Sequence, residues 1–129
     1  MMKYFFVFLT IILFTFSCNK EKKNLINRNL LLFRQISVGE LGTEEFDKYE
    51  KEATNNKLEI KYLSDVIYVS FLEITNACSS FKGNINISND SIYLKYNSVS
   101  DEVCTSTSIT RFTFVINNYE HKKYKIIKD

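Results

Sequence analysis

Residues 78–104, CSSFKGNINISNDSIYLKYNSVSDEVC, decide how the rest of the chain is read. Phe81 to Ser88 and Ser91 to Asn97 are rich in residues that favour strands. Between them stands Asn89-Asp90, and these two residue types tolerate left-handed backbone and close tight turns. The stretch therefore predicts a β-hairpin in which Ile85 and Ile87 align with Ile92, Leu94 and Tyr96. Two of the three cysteines, Cys78 and Cys104, bracket it.

Outward from the hairpin the same pattern continues. Ser98 to Thr110 is a Ser/Thr-rich loop carrying Asp101 and Glu102. From Ile109 to Asn117, Phe112, Phe114 and Ile116 alternate with Arg111, Thr113 and Val115, the period of a strand. Asn117-Asn118 turns the chain, and Tyr124 and Ile126 belong to a last strand. On the other side, Val66 to Thr75 carries Ile67, Val69 and Phe71 on one face and Val66, Tyr68, Leu72 and Ile74 on the other. Apolar groups on both faces place this strand inside a sheet. Leu58, Ile60 and Tyr62 alternate with charged residues as in a half-buried strand, and Ser64-Asp65 is the turn that follows. Leu30 to Val38 reads as the first strand, punctuated by Gly39 and Gly42. Phe46, Tyr49 and Ala53 fall at helical spacing, with Thr43 as cap and Glu44 and Glu45 in the first turn, where acidic groups suit the helix dipole. The same segment is compatible with an edge strand. The expectation is an all-β domain of six to seven antiparallel strands, sandwich-like, with at most one short helix. A small closed β-barrel or an α+β arrangement is the alternative.

The first eighteen residues read differently. Met1-Met2-Lys3 precedes thirteen uncharged residues, Tyr4 to Phe16. That run suits a signal peptide and is short of the roughly 20 residues of a membrane-spanning helix. It ends in Thr15-Phe16-Ser17-Cys18, and a small residue before a cysteine at that place resembles the lipobox of bacterial lipoproteins. The resemblance implies cleavage before Cys18 and acylation of its thiol, which becomes the N-terminus. Thr15 and Phe16 depart from the commonest lipobox residues, although looser boxes are typical of the Bacteroidota, and Asn19-Lys20-Glu21-Lys22 loosely resembles their surface-export signals. If Cys18 carries lipid, Cys78 and Cys104 remain as a pair, and an oxidising envelope joins them. That bridge closes a loop of 27 residues counted inclusively and contributes about 3.5 kcal/mol in the chain-entropy account.

The organisation that follows is a signal peptide over 1–17, a lipidated cysteine and tether over 18–29, and a single β-rich domain over 30–129. From Ile67 to Lys128 the arrangement also resembles a recurrent kind of small Bacteroidota lipoprotein of Flavobacteriia-like type. The residues that carry this are Asn76-Ala77-Cys78, the hairpin through Asn89-Asp90-Ser91-Ile92-Tyr93-Leu94, Cys104, Arg111-Phe112-Thr113-Phe114 and Lys123-Tyr124. The resemblance implies a fold type and an outer-membrane envelope location, periplasmic or surface-exposed, and brings no activity with it. Asp90-Ser91-Ile92 further resembles the short sequence at which Bacteroidota O-glycosylate exported proteins, which makes Ser91 a candidate acceptor. A turn followed by a strand accounts for the same three residues.

Charge excludes little else. The formal net charge is +2, too small to imply a nucleic-acid partner, but it is unevenly spread. Residues 19 to 34 hold five bases and one acid, and residues 40 to 102 hold twelve acids and six bases. The basic start suits an anionic membrane surface. His121 is the only histidine, in Glu120-His121-Lys122-Lys123, and reads as a surface bystander. Glu44-Glu45 and Asp101-Glu102 read as solvated charge. Asn84, Asn86, Asn89 and Asp90 lack the spacing of a calcium loop, and no phosphate-cradling or nucleophile motif is present. The expectation is a non-catalytic envelope lipoprotein without cofactor or metal. It is held to the membrane by its N-terminal lipid and binds an envelope protein or glycan through the Ser98–Thr110 loop. An inhibitor or immunity-type protein and a carrier of a small lipophilic ligand are the alternatives.

Overall fold

The computed structural model describes residues 25–129. The expected signal peptide over 1–17 and Cys18 lie outside them. Seven strands and one helix follow in the order β1 (Leu30–Glu40), α1 (Glu44–Thr54), β2 (Glu59–Leu63), β3 (Val66–Asn76), β4 (Phe81–Ser88), β5 (Ser91–Ser98), β6 (Thr107–Asn117) and β7 (Lys125–Lys128). They form two sheets, a four-stranded one in the order β1-β6-β3-β2 and a three-stranded one in the order β4-β5-β7. This is the sandwich the alternation predicts, and the two sheets do not close into a barrel.

The core lies between the sheets. Ile67, Val69 and Phe71 from β3 and Phe112, Phe114 and Ile116 from β6 meet Ile85, Ile92 and Leu94 from β4 and β5. Phe33, Phe71, Phe81, Tyr96, Phe112 and Phe114 touch ring to ring, with centroids as close as 4.8 Å for Tyr96 and Phe112. Such pairs add about 0.5–1.5 kcal/mol each beyond the area they bury. The hairpin register pairs Ile85 with Leu94 and Ile87 with Ile92. Asn89 turns the chain with φ of 52°, in the left-handed region that Asn accepts. The outer face of β3 and β6 is covered by α1, whose Phe46 and Ala53 pack on Leu72 and Ile109. Thr43 caps that helix by accepting from the Phe46 N–H at 3.3 Å.

Three expectations are corrected by the structure. The first strand continues through Gly39 to Glu40. Gly39 does not end it, because β1 runs so close to the start of α1 that a Cβ there would sit 2.6 Å from the Phe46 nitrogen. The strand over residues 59–63 is an edge with only Tyr62 half-buried; Ile60 pairs with core Val69 yet stays 40% exposed at the rim of the sheet. Finally, β7 pairs with β5 in parallel, not antiparallel. The direction follows from connectivity. β5 runs away from the Asn89-Asp90 turn and β6 returns in the other sheet, so β7 must start again at the end where β5 started.

Candidate binding surfaces

The cysteines close one end of the sandwich. Cys78 and Cys104 are joined, with Cα atoms 5.7 Å apart. Cys78 follows β3 and Cys104 precedes β6, and these strands are direct neighbours, pairing Asn76 with Thr107 at their ends. The bridge therefore stitches the last rung of the four-stranded sheet, and the whole β4–β5 hairpin is the loop it encloses. Asn76 orients both cysteines. Its Oδ1 accepts from the Cys78 N–H at 3.0 Å and the Cys104 N–H at 3.2 Å, and its Nδ2 donates to the Cys104 carbonyl. The first contact is a local turn readable from Asn-x-Cys. The two contacts to Cys104 span 28 residues and have no sequence signal.

Between the hairpin and β6 the chain forms the expected loop, although β6 resumes at Thr107 and shortens it to residues 99–106. Its base is held by the Val99 N–H donating to the Ser80 carbonyl at 2.8 Å and by the Ser100 hydroxyl donating to the Cys78 carbonyl at 3.3 Å. Its exit is held by the bridge. Asp101, Glu102 and Val103 project into water between these anchors, and Val103 is 83% exposed. The pinned loop presents exposed Val99 and Val103 beside the two acids with its ends already fixed.

The remaining candidates are scattered. Ser91 opens β5, half-buried, with its backbone paired to Ser88 on one side and Lys125 on the other. The neighbouring Asp90 carboxylate is held by Lys122 Nζ at 2.8 Å, and this ion pair raises the lysine pKa above its ordinary value. His121 lies on the surface with Nε2 3.6 Å from Asp65 and Nδ1 3.2 Å from the Ser64 carbonyl. Among the described residues no hydroxyl or thiol side chain is hydrogen-bonded to that ring. Glu44 and Glu45 are exposed on the first turn of α1. Among the described residues no group of three or more His, Cys, Asp or Glu side chains is gathered as a metal site would require.

One surface was not anticipated. β1 and β4 are edge strands of different sheets, and they lie side by side along one flank of the sandwich. Gln35 links them, accepting from the Phe81 N–H and donating to the Ser79 carbonyl at 3.2 Å. Phe33 reaches across and lies against Gly83, where any Cβ would collide with its ring. Asn84 then latches the entering chain: its Oδ1 accepts from the Asn27 N–H at 2.8 Å and its Nδ2 donates to the Leu25 carbonyl at 3.3 Å. The asparagine that looked like a stray oxygen donor is a structural clasp. Beside it lies a shallow apolar hollow of about 320 Å³, lined mainly by Ile26, Leu30, Leu31, Leu32 and Phe33 of the entering chain and β1, and by Phe81 of β4. The run Leu30-Leu31-Leu32-Phe33 was legible as apolar. That Leu31 and Leu32 face outward was not, because a bulge between Leu30 and Leu32 shifts the register there.

Set against protein-family models, curated proteins and solved structures, the chain matches none of them.

Proposed function

We propose that the chain is a non-catalytic lipoprotein of the cell envelope, a β-sandwich tethered to the outer membrane through Cys18 that acts by binding a protein or glycan. The observation that carries this reading is the disposition of the three cysteines. Two are consumed in one bridge at the end of the sandwich, and the third, Cys18, follows the uncharged run Tyr4–Phe16 after Ser17. A bridge of this kind belongs to an oxidising compartment, and a lipidated Cys18 accounts for the odd thiol. The loop over 99–106 is the recognition element in this reading, because its two ends are fixed while Asp101, Glu102 and Val103 are presented to water. The aromatic side chains stack on one another between the sheets, which favours a binding or structural role over carriage of a lipophilic ligand.

The test is the intact mass of the protein purified from its own membranes, before and after reduction and alkylation. The expected mass is that of residues 18–129 plus acyl groups, with no alkylation until the bridge is reduced. A mass without acyl groups, or one with freely alkylated thiols, overturns the reading. Any hexose-like increment on the peptide that contains Ser91 would assign the glycan there.

A further inference from the structure

We infer that the β1–β4 flank, from Leu25 to Phe33 with Phe81 and Lys82, is a membrane-docking face that lies against an anionic lipid bilayer. The inference rests on the lipid-anchor reading of Cys18. Three observations carry it. The first is exposure: Leu25 is 82% exposed, Ile26 63%, Leu31 56% and Leu32 48%. Apolar side chains clustered around an open hollow mark an interaction surface.

The second is charge. Over residues 25–39 and 81–88 the charged residues are Arg28, Arg34 and Lys82, with no acid among them, and Lys20, Lys22 and Lys23 stand just upstream with the single acid Glu21. None of the ion pairs among the described residues falls on this flank. They involve Glu59, Asp65, Asp90 and Asp129 elsewhere. Unneutralised bases around apolar side chains are the composition of an interfacial membrane contact.

The third is reach. Leu25 is seven residues from Cys18, at most about 25 Å of extended chain. An acyl anchor at Cys18 therefore keeps this flank, through which the chain enters, within a short tether of the bilayer. The tether supplies a high effective concentration, so even a weak surface contact is populated. The loop over 99–106 starts next to this flank, where the Val99 N–H donates to the Ser80 carbonyl beside Phe81.

The chain has no tryptophan, so a single introduced one reports alone. Leu31→Trp on the docking flank and Leu63→Trp on the opposite edge, both at exposed positions, are made in the full-length protein and purified from membranes. Each is reconstituted in phosphatidylcholine–phosphatidylglycerol vesicles with brominated acyl chains. The expected result is a blue-shifted, lipid-quenched Leu31→Trp and a water-exposed, unquenched Leu63→Trp. Arg28→Glu or Lys82→Glu lowers the docked-to-free ratio about fivefold or more, as does each base removed from an anionic surface. Leu25→Trp is the second reporter should Leu31→Trp perturb the bulge. Equal exposure of the two tryptophans overturns the inference, and so does a blue shift that follows protein concentration rather than lipid, which would assign the flank to a second copy of the chain. Intact mass on the same samples separates the failures. An acylated protein with an unquenched tryptophan overturns docking alone, whereas an unacylated protein overturns the anchor and the docking face together.

Discussion

The two long flanks of the sandwich solve the same problem by different means. On one, β1 runs beside β4; on the other, β2 and the chain around β7 are joined through side chains, and unpaired edges invite unwanted association. The β2–β7 flank is closed by polar clasps. Tyr62 donates its hydroxyl proton to the Tyr124 carbonyl at 3.0 Å and accepts from the Tyr124 N–H at 3.1 Å. Lys123 covers the same ring with its ammonium 3.9 Å from the centroid, and Lys128 reaches Asn56 at 2.6 Å. Its charges are mixed in sign, and Glu59 is held by Lys61 at 2.7 Å, a contact that keeps its carboxyl below the ordinary range. The β1–β4 flank is closed by a phenyl ring on a glycine beside the Gln35 and Asn84 hydrogen bonds, and is then left apolar with Arg28, Arg34 and Lys82 as the charges over residues 25–39 and 81–88. One flank is finished for water. The other is finished for something that is not water.

The largest perturbation acts on both flanks. Reducing the Cys78–Cys104 bridge should lower stability by about 3.5 kcal/mol, with urea midpoints and amide exchange falling on both sides alike. A loss of protection confined to one flank would show that the bridge serves that side only. Phe33→Ala tests the apolar closure by itself. Half-buried Phe33 should cost about 3 kcal/mol, near the lower end for phenylalanine truncation, and exchange should rise in β1 and β4 while β2 and β7 keep their protection. Gly83→Ala, which drives a Cβ into the same ring, should cost about 2 kcal/mol by overpacking. Tyr62→Phe is the counterpart on the polar flank. It removes two hydrogen bonds and should cost about 1–2 kcal/mol, raising exchange in β2 and β7 only.

The smallest effect at neutral pH is one that both flanks should ignore. Between the sheets, half-buried Tyr96 donates to a Glu73 carboxylate oxygen at 2.5 Å. Burial, then that hydrogen bond and charge, raise its phenol pKa above the ordinary value. The folded state therefore holds the proton more tightly than the unfolded one. The contribution is fully present below about pH 10, the usual phenol value, and is lost as pH rises beyond it. Unfolding midpoints should stay level through neutral pH and fall above about pH 10, and Tyr96→Phe should flatten that fall.

Much of the fold was legible locally. Phe112, Phe114 and Ile116 announced the inward face of β6 by alternation, Asn89-Asp90 announced the hairpin, and Thr43 announced the cap of α1. These signals are short-range: side-chain alternation, left-handed turn residues and a capping hydroxyl act within a few residues of chain. The candidate surfaces were legible only in outline. The bridged pair and the Ser/Thr-rich loop could be named from the sequence, but the Asn76 contacts that orient the cysteines reach across 28 residues.

The sequence by itself determined the all-β class, the inward face of β6, the cysteine pair and the apolar, basic character of residues 25–34. Tertiary structure alone decided that β7 lies parallel to β5, that Gly83 exists to receive Phe33, and that Asn84 latches the incoming chain. The last two depend on which edge strand of one sheet comes to rest beside which edge of the other, and the first on the chain's return through β6 in the other sheet; all three are settled when the two sheets pack together, after every local signal has been spent.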